Sequence, residues 1–120
     1  MATYSLKGWN FSPLTGLFYA DFLVAIDESA RITVPPFCDQ IMERVIPAAG
    51  GNVAMAVTLD PPDRFDNTDG LIDSARWKDL DATITADEQV QRNEYAVQGL
   101  RYTATVAAAQ VLLCARPRFK

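Results

Sequence analysis

Histidine is absent from all 120 residues, which removes the commonest general base and the commonest imidazole metal ligand together. A Ser–His–Asp or Cys–His arrangement is therefore excluded. Cysteine is scarce: Cys38 and Cys114 alone, each among apolar neighbours, where a free thiol behaves as a small hydrophobe. Without a secretory signal or a cysteine framework, no bridge between them is expected. Basic charge is also short, eleven Lys and Arg against fifteen Asp and Glu for a net charge of −4, and no Lys/Arg cluster offers a footprint for a phosphate backbone. Nucleic acid is not an expected partner. No apolar run approaches the ~18 residues of a membrane span, since Leu17 to Ile26 is broken by Asp21. Met1 to Lys7 lacks the basic start and apolar centre of a signal peptide. The expectation is a soluble chain with no membrane partner, and Asn10-Phe11-Ser12, which fits the N-glycosylation pattern, is discounted for want of a secretory route. Neither GxGxxG nor a P-loop occurs, and with fifteen carboxylates a glycosidase-like pair can always be found, so abundance is no evidence for one. No catalytic residue, cofactor or metal is expected, and the chain reads as non-enzymatic.

What is present is β-forming. An apolar content of 49% with 22% charge is that of a globular chain able to bury a core. In Leu100, Tyr102, Ala104 and Val106 the apolar side chains take every second position, with Arg101, Thr103 and Thr105 in the other phase, the signature of a strand with one buried face. Val111 to Ala115 follows, closed by Pro117, and the short separation predicts an antiparallel return that makes this closing pair the sheet core. Asn52 to Asp60 alternates likewise, Val53, Met55, Val57 and Leu59 against small residues, which implies cover on both faces. Leu17 to Ile26 and Arg31 to Val34 read as strands, joined by a turn over Asp27 to Ala30. Shorter strands are read in Ala75 to Leu80, Ala82 to Asp87 and Gln89 to Val97. Phe37 to Ile46 is the best candidate for a short helix, because Phe37, Ile41 and Val45 are four apart and Cys38, Met42 and Ile46 form the adjacent row; the alternative is a loop leading to a strand over Glu43 to Ile46. About seven or eight strands at short spacing predict a mainly β fold, an antiparallel β-sandwich or small barrel.

Six of the twelve aromatics fall within residues 1–22, interleaved with Gly8, Pro13 and Gly16. Such a segment is too punctuated for a helix and too apolar for a solvated tail, so it packs against something. We therefore divide the chain into residues 1–22, an aromatic arm or first strand, and a single β-rich domain over 23–120. The arm folds back on its own domain or anchors on a neighbour. Pro61 to Gly70 is a loop with Asp60, Asp63, Asp66 and Asp69 at three-residue intervals. Placing Gly70 as the turn glycine of a calcium loop makes Phe65 and Arg76 ligands, which neither can be, so turn solvation is the expected role. Trp77, flanked by Arg76 and Lys78, reads as an inward-facing strand residue or as a stacking platform for sugar. Arg116, Arg118 and Lys120 share one phase of an extended strand, to dock on an acidic neighbour or to charge an edge.

The run Tyr95-Ala96-Val97-Gln98-Gly99-Leu100-Arg101-Tyr102-Thr103-Ala104-Thr105-Val106, followed by an apolar strand and a basic terminus, resembles the final strands of small virion proteins of tailed bacteriophages. There a v-x-G-x-R-apolar-x-v strand leads to the last strand of the domain. Ala107-Ala108-Ala109 departs from the glycine-containing turn of that pattern. The resemblance covers about a quarter of the chain and implies a capsid decoration (cement) protein, located in the virion and assembled in the bacterial cytoplasm. Its implied partners are the major capsid protein or another virion protein and further copies of itself, with a trimer expected. The expected contact residues are Tyr4, Trp9 and Phe11 in the arm and Arg116 and Arg118 in the tail. The alternatives are a tail- or fibre-associated component and a stand-alone carbohydrate-binding module using Trp77 and the Asp-rich loop.

Overall fold

The computed structural model describes residues 9–35, 38–60, 75–92 and 98–117. Nine strands lie among them: β1 (Asn10–Ser12), β2 (Leu17–Val24), β3 (Ser29–Thr33), β4 (Cys38–Pro47), β5 (Asn52–Thr58), β6 (Trp77–Ile84), β7 (Glu88–Arg92), β8 (Gly99–Thr105) and β9 (Ala109–Pro117). Side-chain alternation turns each one toward a shared interior. Phe18, Ala20 and Val24 of β2, Leu100, Tyr102 and Ala104 of β8, and Val111, Leu113 and Ala115 of β9 are all buried, while Asp21 and Leu23 face out. The strands form an antiparallel sandwich of two sheets, ordered β1-β2-β9-β4-β7 and β3-β8-β5-β6. Setting β1 aside, the strands divide between two four-stranded sheets in the order of a double-sheet jelly roll, consecutive strands changing sheet everywhere except from β5 to β6. The expected sandwich is therefore present, with nine strands among the described residues where seven or eight were expected.

The order explains where local reading failed. The closing pair is not a hairpin: β8 belongs to one sheet and β9 to the other, and residues 106–108 are a corner between them. Both strands are nonetheless interior to their sheets, β9 lying between β2 and β4. The segment expected as a helix is β4 instead. Ile41, Glu43 and Val45 are buried, and Met42 and Arg44 turn the other way. A spacing of four is also a multiple of two, so Ile41 and Val45 share a strand face as readily as a helix face, and ladders to β9 and β7 on either side settle the choice. Phe37 lies outside the described residues. The boundary expected at 22/23 falls inside β2, and from Trp9 onward the first segment is part of the sandwich. Cys38 packs against the core and Cys114 does not; both are free. Cys114 is three residues along β9 from Pro117, the partner of Cys38, about 10 Å of strand and beyond disulfide reach.

Two features hold the sheets together besides apolar packing. Glu43, 1% exposed, accepts a hydrogen bond at Oε1 from the Tyr102 hydroxyl across the interior, and the Tyr102 ring lies 5.9 Å from that of Phe22. At one end, the 47–51 turn meets the 106–108 corner, with Ala48 N–H donating to the Ala108 carbonyl at 2.9 Å. Gly51 makes this approach possible, since a Cβ there would stand 3.1 Å from that of Ala107. Val106 turns the corner at φ 75°, a conformation that opposes a β-branched residue.

Two stability measurements follow from this arrangement. Tyr102→Phe, which keeps the ring and deletes the donor to a buried carboxyl, is expected to lower the unfolding free energy in urea by about 1–3 kcal/mol. Val106→Gly, which relieves the positive φ, is expected to raise it by about 1 kcal/mol; a drop would show that the Val106 side chain matters more than its backbone.

Candidate functional site

The outer face of the five-stranded sheet is built from the residues in opposite phase to the core. Tyr19, Cys114 and Met42 form one row across β2, β9 and β4. Asp21, Leu112, Arg44 and Gln89 form the next, extending to β7. Together they line a groove of about 440 Å³. Its floor is apolar, with Met42, Leu112 and Cys114 half-buried, and its rim is polar. The Arg44 guanidinium grips Asp87 through two bonds, Nε to Oδ1 at 3.0 Å and Nη2 to Oδ2 at 2.7 Å. Those bonds, and then the opposite charge, hold Arg44 above its usual value, and the hydrogen bond from Arg44 draws the Asp87 carboxyl below its own. Opposite, Gln110 Nε2 donates to Asp21 Oδ1 at 3.0 Å, and the Tyr19 hydroxyl donates to Thr15 Oγ1 at 3.1 Å. Burial pushes the Cys114 thiol upward, with a hydrogen bond to Tyr19 pulling the other way.

The outer face of the four-stranded sheet differs. Trp77 stands opposite Thr58, and Asp79 and Arg101 flank Ala56 from either side. The Arg101 guanidinium lies 4.9 Å above the Trp77 ring and reaches Asp79 Oδ1 at 3.3 Å. The inward placement expected for Trp77 is thus incorrect: Trp77 shares the phase of Asp79 and Thr83, opposite to that of the buried Ile84, so its ring lies on the outside, where a cation stacks on it. Below this face, Asp60 and Arg76 join the two ends of the 61–74 segment. Arg76 donates from Nη2 to Oδ1 at 2.7 Å and from its backbone N–H to Oδ2 at 2.6 Å, and Thr58 Oγ1 donates to the Arg76 carbonyl at 2.8 Å. Asp60, weighed above as a calcium ligand, is committed to this clamp; Asp63, Asp66 and Asp69 lie outside the described residues. Among the described residues no three of His, Cys, Asp and Glu are placed to hold a metal ion.

The expected contact residues are not gathered into one place. Trp9 is 6% exposed, a core member whose indole N–H donates to the Thr33 carbonyl at 2.8 Å. It ties the start of the five-stranded sheet to the edge of the other. Phe11 is 49% exposed and tilts against Phe18 at 4.9 Å. Arg116 is exposed on β9, opposite Gln40. Tyr4 and Arg118 lie outside the described residues. The groove itself was missed by sequence reasoning, although Val111 to Ala115 carried a signal: an apolar run without alternation leaves Leu112 and Cys114 for the second face.

No protein-family model matches the sequence, and no significant match was found among curated proteins. Solved structures do share its fold. An oxalate oxidase superposes with a TM-score of 0.54 at 10% identity, covering 87% of this chain and 43% of its own. The metallopeptidase IMPa in complex with T-antigen gives 0.54 at 13% identity, over 98% of this chain and 14% of its own. IMPa from Pseudomonas aeruginosa in complex with an O-glycopeptide gives 0.53 at 13%, over 96% and 13%. The chain spans less than half the length of each. At these identities the likeness is one of fold alone.

The Arg44–Asp87 pair makes a pH-dependent prediction. Because the folded carboxyl titrates lower than the unfolded one, its contribution is present above the ordinary Asp range, about pH 4. It is lost as pH falls through the lower folded value. The stability difference between the parent and Arg44→Gln, measured by urea unfolding, should therefore be small, should favour the parent near neutrality and should vanish in acid.

Proposed function

We propose that the protein is a non-enzymatic virion structural protein, a capsid decoration or cement component that works by surface contact. The observation that carries this reading is the amount of large apolar side chain left outside the sandwich, in and around the groove and at the loops. Leu23 is 71% exposed, Leu59 67%, Ile26 51% and Phe11 49%, and they accompany the half-buried Met42, Leu112 and Cys114. Apolar area of this kind is what a partner surface covers. The double-sheet jelly roll suits the role, because two rigid sheets present broad faces and short corners to a shell. The major capsid protein is the partner, with further copies of the chain alongside. Phe11 and Arg116 are exposed and serve as contacts, whereas Trp9 acts indirectly by holding the first strand in place.

A tail- or fibre-associated role uses the same surfaces. A carbohydrate-binding module is the second reading, favoured by one observation, the outward Trp77 with Arg101 and Asp79 beside it. A glycan array separates the two, since ligand capture that is lost in Trp77→Ala favours the module.

The capsid reading is tested by co-sedimentation with purified shells of the phage that encodes the chain. The parent is expected to pellet with the particles and to saturate at a fixed number of copies. Leu112→Asp places a charge on the groove floor and should weaken binding about tenfold or more, roughly 1.4 kcal/mol, with the far-ultraviolet dichroism unchanged. Failure of the parent to pellet at any concentration would sink the proposal.

A further inference from the structure

Among the described residues the two sheets have four edges, β1, β7, β3 and β6, and exposed edges invite strand pairing unless they are blunted. Three of them are. β1 is three residues long. β3 runs into Pro35, which cannot donate to a ladder. β6 carries Lys78 and Asp79 and an irregular register against β5. β7 lacks proline, glycine and lysine and pairs in unbroken register with β4, and its two charges, Glu88 and Arg92, are of opposite sign and stand at its two ends. Among the described residues no strand occupies its far side.

The β7 sequence is also complementary to itself when reversed. An antiparallel pairing of two copies about Val90 places Val90 opposite Val90, Gln89 opposite Gln91, and Glu88 opposite Arg92 at both ends. The charge match occurs twice because the operation is a two-fold, as in any isologous contact. Directly opposed residues share a sheet face. Gln89 faces the groove side beside Arg44, so the Gln89 and Gln91 positions of the two copies meet on that face. Glu88 and Gln89 are exposed, so the N-terminal half of the edge is open to a partner.

We propose that β7 is a homodimerisation edge: two copies of this chain join antiparallel about Val90, fusing their five-stranded sheets into one continuous sheet with the two grooves side by side. This goes beyond the capsid reading and does not depend on it, and it specifies a two-fold contact rather than the trimer expected from the resemblance. An edge of five residues buries little area, so the dimer is weak and concentration-dependent.

The experiment is sedimentation velocity on the full chain over a concentration series reaching the millimolar range, with dichroism as a check on folding. The parent is expected to shift from monomer to dimer, and added salt to move the shift to higher concentration. Glu88→Arg and Arg92→Glu each set like charges opposite one another twice, and each should remain monomeric about tenfold beyond the parent's midpoint. Mixing those two variants restores both charge pairs in a heterodimer, as does the double swap within one chain, and association should return in both cases. A parent monomeric throughout, a trimer indifferent to both reversals, or reversals that are not rescued by mixing would each overturn the proposal. Shell binding by a chain that never dimerises would remove this inference and leave the capsid reading intact.

Discussion

Everything in the five-stranded sheet depends on β9. Strands β2 and β4 do not pair with each other; each is joined to the sheet's centre through β9, Tyr19 and Met42 meeting the same residue, Cys114, from opposite sides. The pairing joins residues almost the whole described chain apart, so the entropy of closing a very long loop is incurred before any ladder bond of the central strand forms. In the jelly-roll order most connections cross from one sheet to the other, which multiplies such closures and marks a slowly folding topology. The residues β9 sends inward, Ala109, Val111, Leu113 and Ala115, are small to medium and almost fully buried. They let the two sheets approach closely at the molecule's centre.

Into that close-packed interior the chain places one carboxyl. Glu43 sits at a strand position where its neighbours Ile41 and Val45 are aliphatic, and it is tolerable because the Tyr102 hydroxyl arrives from the opposite sheet. Apolar packing alone has little preference for how one sheet is laid on the other. A buried acceptor that must meet one particular donor fixes a single alignment, and the Phe22 ring beside Tyr102 limits the rotamers available. The same logic governs the far end, where Gly51 and the Ala107 corner interlock by shape.

Much of this was legible in the chain. Period-two alternation in Asn52 to Thr58 and Gly99 to Thr105 reports burial directly, and those strands, like the one read from Leu17, appear within a residue or two of their expected limits. Connectivity was not legible, because a three-residue gap between strands is equally a hairpin or a corner, and only the pairing partners of β8 and β9, far away in sequence, decide which. The helix reading of Phe37 to Ile46 failed because Ile41 and Val45 fit both periods. The candidate surfaces were the least visible. An outward Leu112 or Trp77 looks in sequence like any other apolar residue, and the side it takes is set by the phase of its strand against the partners it pairs with. Trp9 shows the converse, since an aromatic placed early looked available to a partner and is instead bonded to Thr33 at the sandwich edge.

The Asp60–Arg76 clamp carries a consequence for how this fold tolerates change. It fastens the two ends of the 61–74 segment at the point where they leave β5 and enter β6, with Thr58 bonded to both sides of the junction. The clamp thus pins where β6 begins against the end of β5. Lengthening a tethered excursion costs only about 0.6 kcal/mol per doubling. Changes in length between Asp60 and Arg76 are accordingly expected to cost the sandwich little so long as the clamp itself is kept.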